Sequence, residues 1–298
     1  MVRNEADVIE ASVRHNLSVL DGIAIIDHGS IDGTSEILAD LAREGLPLRV
    51  LHDRLPGFFQ AERLTTLARE MFARERADFV FPIDADEFVK VASRERLERA
   101  LAGIPGGDHA VVGWLTYVPE RFDGEIGPSH LRWRLALERH RSTKCVIGSG
   151  FLARTSQYLI SGSHLVDDLA SPNPPGHMRL AAEDVALAHC PVRSRSQLEG
   201  KIIIGYAAHL ATKPTNDQQA FHWRDLYDEL RAGRELDTGR LRDIACNYGL
   251  PRHIWQPSAS IELVEDPLHP SFELRYPRQS SPDALRLLMQ FMETLLRQ

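Results

Sequence analysis

Apolar residues recur in two alternating rhythms along the first ninety positions. From Val8 to Leu20 they fall three and four apart, with Ile9, Val13, Leu17 and Leu20 on one stripe, which predicts an amphipathic helix. Gly22 to Asp27 (GIAIID) is a short continuous apolar run and predicts a buried parallel strand. Thr34 to Glu44 predicts a second helix. Ile37, Leu38 and Leu41 face inward, Thr34 can cap the start, and Gly45 ends it. Leu48 to His52 reads as a strand. Ala61 to Arg74 reads as a helix through Leu64, Leu67, Ala68, Met71 and Phe72. Asp78 to Ile83 (DFVFPI) reads as a strand running into Asp84.

Strand and helix in alternation predict an α/β fold with a doubly wound, mostly parallel sheet flanked by helices. Ligands bind such sheets beyond the carboxyl ends of the strands, so Asp27 and Asp84 are expected in one crevice. A sheet of this type opens with a full strand, yet only Met1 to Arg3 precede the Asn4-Glu5 turn. Either that strand is very short or the chain starts upstream.

After Asp86 the pattern becomes mixed. Arg94 to Ala102 predicts a helix, Ala110 to Val118 a strand, and Cys145 to Ile147 and Gln157 to Ile160 shorter strands. Ser171 to Gly176 (SPNPPG) is a loop. Gln197 to Leu210, Gln218 to Arg231 and Asp283 to Leu296 predict helices. The expected organisation is one unit over 1–231, with halves at about 1–90 and about 91–231. Residues 232–298 form a helical extension packed on it.

Composition narrows the class. A chain of 298 residues, 43% apolar and 26% charged, can bury a full core. Its formal net charge of -7 argues against nucleic acid as a partner, although a bound cation can still bring in a nucleotide. Cys145, Cys190 and Cys246 are far apart and lack CxxC spacing, so a reducing, cytoplasmic setting is expected. No apolar run reaches the roughly 18 residues of a membrane span. Arg3, Glu5, Asp7 and Glu10 interrupt any signal-like stretch. Peripheral membrane contact stays open.

Three segments carry candidate chemistry. In FPIDADEF, Phe81 to Phe88, two carboxylates two residues apart follow an apolar strand. That is a placement for a hard divalent cation shared with substrate phosphates, and the bland alternative is a solvated acidic turn with Glu87. In IIDHGSIDGT, Ile25 to Thr34, a polar turn leads into a helix N-terminus. It can bind a polar ligand or simply cap the helix. Val2-Arg3-Asn4-Glu5 is a strand end with two polar residues.

In this order and spacing the three segments resemble the family-2-like glycosyltransferases of the GT-A fold. That resemblance covers roughly residues 1 to 90, and implies a catalytic unit over 1–231 with its nucleotide-binding half at about 1–90 and its acceptor half at about 91–231. It implies a nucleotide pocket lined by Asn4, Glu5 and Asp27, with Asp84 toward the nucleotide or its ribose, Asp86 on the metal, and Mn²⁺ or Mg²⁺ as cofactor. A fainter likeness over 140 to 205 matches a subgroup with a Lys, a His after a strand, and a His followed by Ser and Lys. Here these are Lys144, His164 and the stretch from His189 to Lys201. Lys144 would then meet the nucleotide and His164 would be a further metal ligand beside Asp84 and Asp86, with a hydrogen-bonded surface His as the alternative.

Between His130 and Lys144 five Arg or Lys face one Glu, a local excess suited to a diphosphate or anionic acceptor, or to a solvated basic face. An inverting transfer needs a carboxylate base. Asp167 and Asp168 follow His164 directly, with Asp168 preferred, and Glu183-Asp184 is the other pair. The expected activity moves a sugar from a nucleoside-diphosphate sugar, UDP-linked by preference, to a hydroxyl of a glycan, a glycolipid or another acceptor. The alternatives are a sugar-phosphate nucleotidyltransferase, disfavoured because Asn4 to Val8 has neither Gly nor Lys, and an inactive nucleotide-sugar-binding protein.

Overall fold

A computed structural model describes residues 1–55, 57, 59–122, 131–140, 142–211, 221–268, 273–276 and 284–296. Its described residues hold eight α-helices and a mixed set of strands. The first half follows the predicted alternation through α1 (Ile9–Leu17), β1 (Ile23–Asp27), α2 (Thr34–Arg43), β2 (Leu48–His52), α3 (Gln60–Arg74) and β3 (Phe79–Val80); β4 (Glu87–Lys90), which the pattern did not mark, then comes before α4 (Arg94–Ala102). β1 and β2 pair in parallel, with Ile23 opposite Leu48 and Asp27 opposite His52. The stripe of α2 is buried as expected, since Ile37, Leu38 and Leu41 have no exposure.

The expectation of a mostly parallel sheet needs correction. β5 (His109–Thr116), β7 (Thr143–Gly148), β10 (His177–Arg179) and β11 (Ala186–His189) complete a six-stranded sheet in the order β3-β7-β5-β11-β4, with β10 also beside β5. β7 is antiparallel to both β3 and β5, and β4 is antiparallel to β11, while β11 and β10 run parallel to β5. The reason lies in the connections. A parallel neighbour needs a crossover, usually a helix, and no α-helix is described between β5 and β7. β1 and β2 stay outside this sheet as a separate pair.

The predicted strand at 78–83 shrinks to Phe79–Val80, because only one of its edges has a partner, β7. Two short hairpin strands, β8 (Gln157–Leu159) and β9 (Val166–Asp168), pair with each other. Beyond β11 come α5 (Arg195–Ala211), α6 (Phe221–Arg231), α7 (Thr238–Cys246) and α8 (Ala284–Leu296). The starts expected for two of these helices, Gln218 to Ala220 and Asp283, lie outside the described residues. The C-terminal stretch is not purely helical: β12 (Leu263–Glu265) pairs antiparallel with β6 (Trp133–Leu135). No helix is long and apolar enough to cross a membrane among the described residues.

Candidate functional site

Two of the sequence motifs lock onto each other. Asn4 adopts a left-handed backbone, φ 56°, which its short polar side chain tolerates. Its N–H donates to Ser30 Oγ at 3.0 Å, and its Oδ1 accepts the Ile31 N–H at 2.9 Å. The Glu5 N–H donates to Thr34 Oγ1 at 2.9 Å, and the Ala6 N–H to Asp32 Oδ2 at 2.9 Å. Gly29 and Gly33, at φ 68° and 108°, turn the loop so that Ser30, Asp32 and Thr34 can reach back. The loop is therefore a clasp that holds the Asn4–Ala6 turn. Asp27 belongs to it as well. Its carboxylate accepts the Ser30 N–H at 3.0 Å and the Ser35 hydroxyl, and it is buried.

Below the clasp opens a cleft of about 530 Å³. Its polar wall carries Asn4, Glu5, Asp84, Asp86, Lys144, His164, His189 and Lys201, and Trp114, Trp223 and Tyr248 supply aromatic surface. Asp84 and Asp86 sit on the turn between β3 and β4. Glu87 Oε2 accepts the Asp84 N–H at 2.8 Å, and the Asp86 carbonyl accepts the Cys190 N–H at 2.9 Å. Asn16 of α1 bonds Glu87 O and the Val89 N–H, which fixes the turn from behind.

Each carboxylate faces a lysine. Lys144, buried on β7, donates to Asp84 Oδ2 at 2.6 Å and lies 3.3 Å from Glu87 Oε2. Lys201, on α5, donates to Asp86 Oδ2 at 2.6 Å. Arg193 has no exposure. It pairs with Glu5, with Asp7 at 2.7 Å, and with Asp86 at 3.6 Å. Its position is set by the start of α5, where Ser194 Oγ accepts the Gln197 N–H and Gln197 Oε1 accepts the Arg193 N–H. His189 Nε2 is 3.9 Å from Asp86 Oδ2, and the ring packs on Trp114 with centroids 4.2 Å apart. His164 Nδ1 meets the Thr143 carbonyl at 2.7 Å. A carbonyl only accepts, so Nδ1 carries the proton and Nε2 is left with its lone pair.

The electrostatics divide the acids. Burial pushes Glu5 up to about 7 and Glu87 up to about 8 against the pull of Arg193 and Lys144. Burial also opposes ionisation of Asp86 and Asp84, but the adjoining cations outweigh it. Lys201, His189 and Arg193 hold Asp86 below the usual carboxylate range, and Lys144 does the same for Asp84. Burial pushes His189 down to about 4, so it is neutral near pH 7.

The structure thus brings together Asn4, Glu5, Asp84, Asp86, Lys144 and His164. It does not bring the rest. Asp27 turns its carboxylate into the clasp and does not line the cleft. Asp167 and Asp168 sit on β9 and do not line it either. Asp167 accepts from Tyr158 OH at 2.9 Å, and Asp168 accepts the Ala170 N–H at 2.9 Å. Asp184 pairs with Arg96 at 2.6 Å, also away from the cleft. The basic run is largely structural. Arg132 pairs with Glu265 at 2.7 Å, Arg134 with Asp266 at 2.6 Å, and Arg139 donates to the Ile254 carbonyl at 2.6 Å. His130 and Arg141 lie outside the described residues. Sequence reasoning missed Arg193, Trp114 and Tyr248, and it read Lys201 only as part of a faint likeness. No protein-family model matches the chain, and no curated protein matches it.

Proposed function

We propose that this protein is a nucleotide-sugar-dependent glycosyltransferase of GT-A type, with a UDP-sugar as its preferred donor. The observation that carries this reading is the convergence of Asp84 and Asp86 with Lys144 and Lys201 in one cleft beside the Asn4-Glu5 turn, with Arg193 buried behind Glu5 and Asp86. Two cations on the cleft wall, buried Lys144 and half-buried Lys201, suit a diphosphate, and the aromatic wall suits a base or a sugar ring.

Mn²⁺ or Mg²⁺ fits the donor set. Five carboxyls (Glu5, Asp7, Asp84, Asp86 and Glu87) meet only three side-chain cations here, and Glu87 Oε1 is buried without a hydrogen-bond partner. A divalent ion there would favour the ionised forms of Glu87 and Glu5, which burial pushes up to about 8 and about 7. Asp84, Asp86 and His189 would hold it, the His189 Nε2 lying 3.9 Å from Asp86 Oδ2 and all three lining the cleft. Among the described residues no ready-made cluster of three ligands exists, since lysines occupy one oxygen of each aspartate. A bound ion would compete with Lys201 for Asp86 Oδ2. The bound ion would supply charge stabilisation of the leaving diphosphate. His164, with its Nε2 lone pair fixed by the Thr143 bond, takes the proton of the acceptor hydroxyl, the role that Asp167 and Asp168 were expected to fill. The acceptor is a hydroxyl of a glycan, glycolipid or similar molecule.

A thermal-shift screen with UDP, GDP, CDP and dTDP, each with and without Mn²⁺, tests the proposal. UDP with Mn²⁺ is expected to stabilise the wild type by roughly 2.7 kcal/mol at about a hundredfold excess over Kd. Asp86→Asn should keep the fold and lose that gain. An equal gain in the variant, or none from any nucleotide in the wild type, would overturn the reading.

A further inference from the structure

Gln60, the first residue of α3, lines the cleft and is 7% exposed. Its side-chain amide has two partners. Oε1 accepts the Gly162 N–H at 3.0 Å, and Nε2 donates to Asp84 Oδ1 at 3.3 Å. The orientation of the amide is fixed by its partners. A backbone N–H only donates and must face the oxygen, and an ionised carboxylate only accepts and must face the nitrogen. One planar group thereby links Asp84, 24 positions along the chain, with a turn 102 positions along.

That turn carries His164. It spans Ser161–Ser163, between β8 and β9, and α3 clamps the chain leading into it. Arg69 donates to the carbonyls of Phe151 and Gln157 at 2.7 Å each, Thr65 Oγ1 accepts the Leu159 N–H at 2.9 Å, and Gln60 takes the Gly162 N–H. Toward the start of α3 the partners advance along the chain, so helix and segment run antiparallel, and of these three clamps Gln60 is nearest His164. Gly162 and Ser163 both adopt a left-handed backbone, φ 76° and 55°. A Cβ on Gly162 would come within 2.6 Å of His164 Nε2, so the imidazole lies against the same glycine whose N–H Gln60 holds. The Thr143 carbonyl of β7 holds the ring at Nδ1, and Trp114 meets it edge-on with centroids 5.7 Å apart.

We infer that Gln60 is a positioning residue: its amide holds the turn beneath the His164 ring in register with the Asp84 carboxylate. A change at Asp84, such as the arrival of a cation and a diphosphate, is then passed to the backbone beside the base. The purpose assigned to this link rests on the transferase reading of the cleft, but the link itself is tested without nucleotide.

The test uses ¹⁵N-labelled wild type, Gln60→Met and Gln60→Glu, followed by NMR with and without Mg²⁺ and UDP. Methionine has a similar length and keeps neither bond. Glutamate keeps an oxygen for the Gly162 N–H and loses the donor to Asp84. Without ligand, Gln60→Met is expected to speed exchange of the Gly162 amide by about tenfold or more and to cost His164 its single Nδ1–H ring form, while Gln60→Glu retains both. With Mg²⁺ and UDP, the signals of Asp84 to Asp86 and of Gly162 should shift together in the wild type. In Gln60→Glu only those of Asp84 to Asp86 should shift. Wild-type exchange at Gly162 with an unchanged His164 ring in Gln60→Met overturns the inference. So does equal loss of both in the two variants, which would make Gln60 a packing residue. A wild-type Gly162 response in Gln60→Glu also overturns it, and that arm carries the test if Gln60→Met does not fold. Silence at Asp84 to Asp86 in the wild type would count against the transferase reading, and the ligand-free comparison would still decide the role of Gln60.

Discussion

Glu87 has no exposure. It sits behind the Asp84–Asp86 turn, where the acidic segment could equally have been a solvated turn. Its carboxyl titrates at about 8 in the fold against 4.5 when free, chiefly through burial. A raised carboxyl pKa means that the folded state keeps a proton that the unfolded state releases. The associated stability is full below pH 4.5 and is lost as pH rises toward 8, at up to about 1.4 kcal/mol per pH unit. Glu87→Gln mimics the protonated group and should flatten that decline, though Glu5, raised to about 7, leaves part of it. Urea unfolding of both proteins from pH 5 to 8 measures the two slopes; identical slopes would mean that Glu87 is ionised in the fold.

At the scale of elements, the loop from Asp27 to Thr34 braces a turn as well as starting a helix. Asp32 holds the Ala6 N–H with one oxygen, at 2.9 Å, and the Thr34 N–H and hydroxyl with the other, at 3.0 and 2.6 Å. Asp32→Ala leaves these donors unpaired, at an expected loss of about 1–3 kcal/mol. It should also shrink the thermal shift with UDP and Mn²⁺, because Glu5 loses its support. Chemical denaturation and the nucleotide screen read the two effects separately. Unchanged stability would show that the clasp is incidental. The sequence pattern marked both segments, but it left open whether the loop binds a ligand or caps a helix. Backbone donors that look free in a sequence are here taken by Ser30, Asp32 and Thr34.

At the scale of the molecule, the cleft depends on elements more than 190 residues apart. α8 packs on α5 through Leu287 and Phe291, both 2% exposed. Leu287 reaches the cleft wall, and the Arg3 guanidinium lies 5.3 Å from the Phe291 ring centre. Phe291→Ala should cost about 3–5 kcal/mol in guanidinium unfolding and weaken nucleotide binding as the wall loosens. A loss below about 1 kcal/mol would show α8 to be peripheral. By itself the sequence determined the alternating first half as far as β3, the stripes of α1 to α3 and the adjacency of Asp84 and Asp86. Those follow from periodicity and short spacing, which are local properties of the chain. Tertiary structure alone decided that β7 enters antiparallel between β3 and β5, that Asp27 turns away while Arg193 turns in, and that Lys144 and Lys201 meet the two aspartates. Pairs such as Lys201 with Asp86, 115 positions apart, are set by which strands become neighbours, and no local pattern encodes that choice.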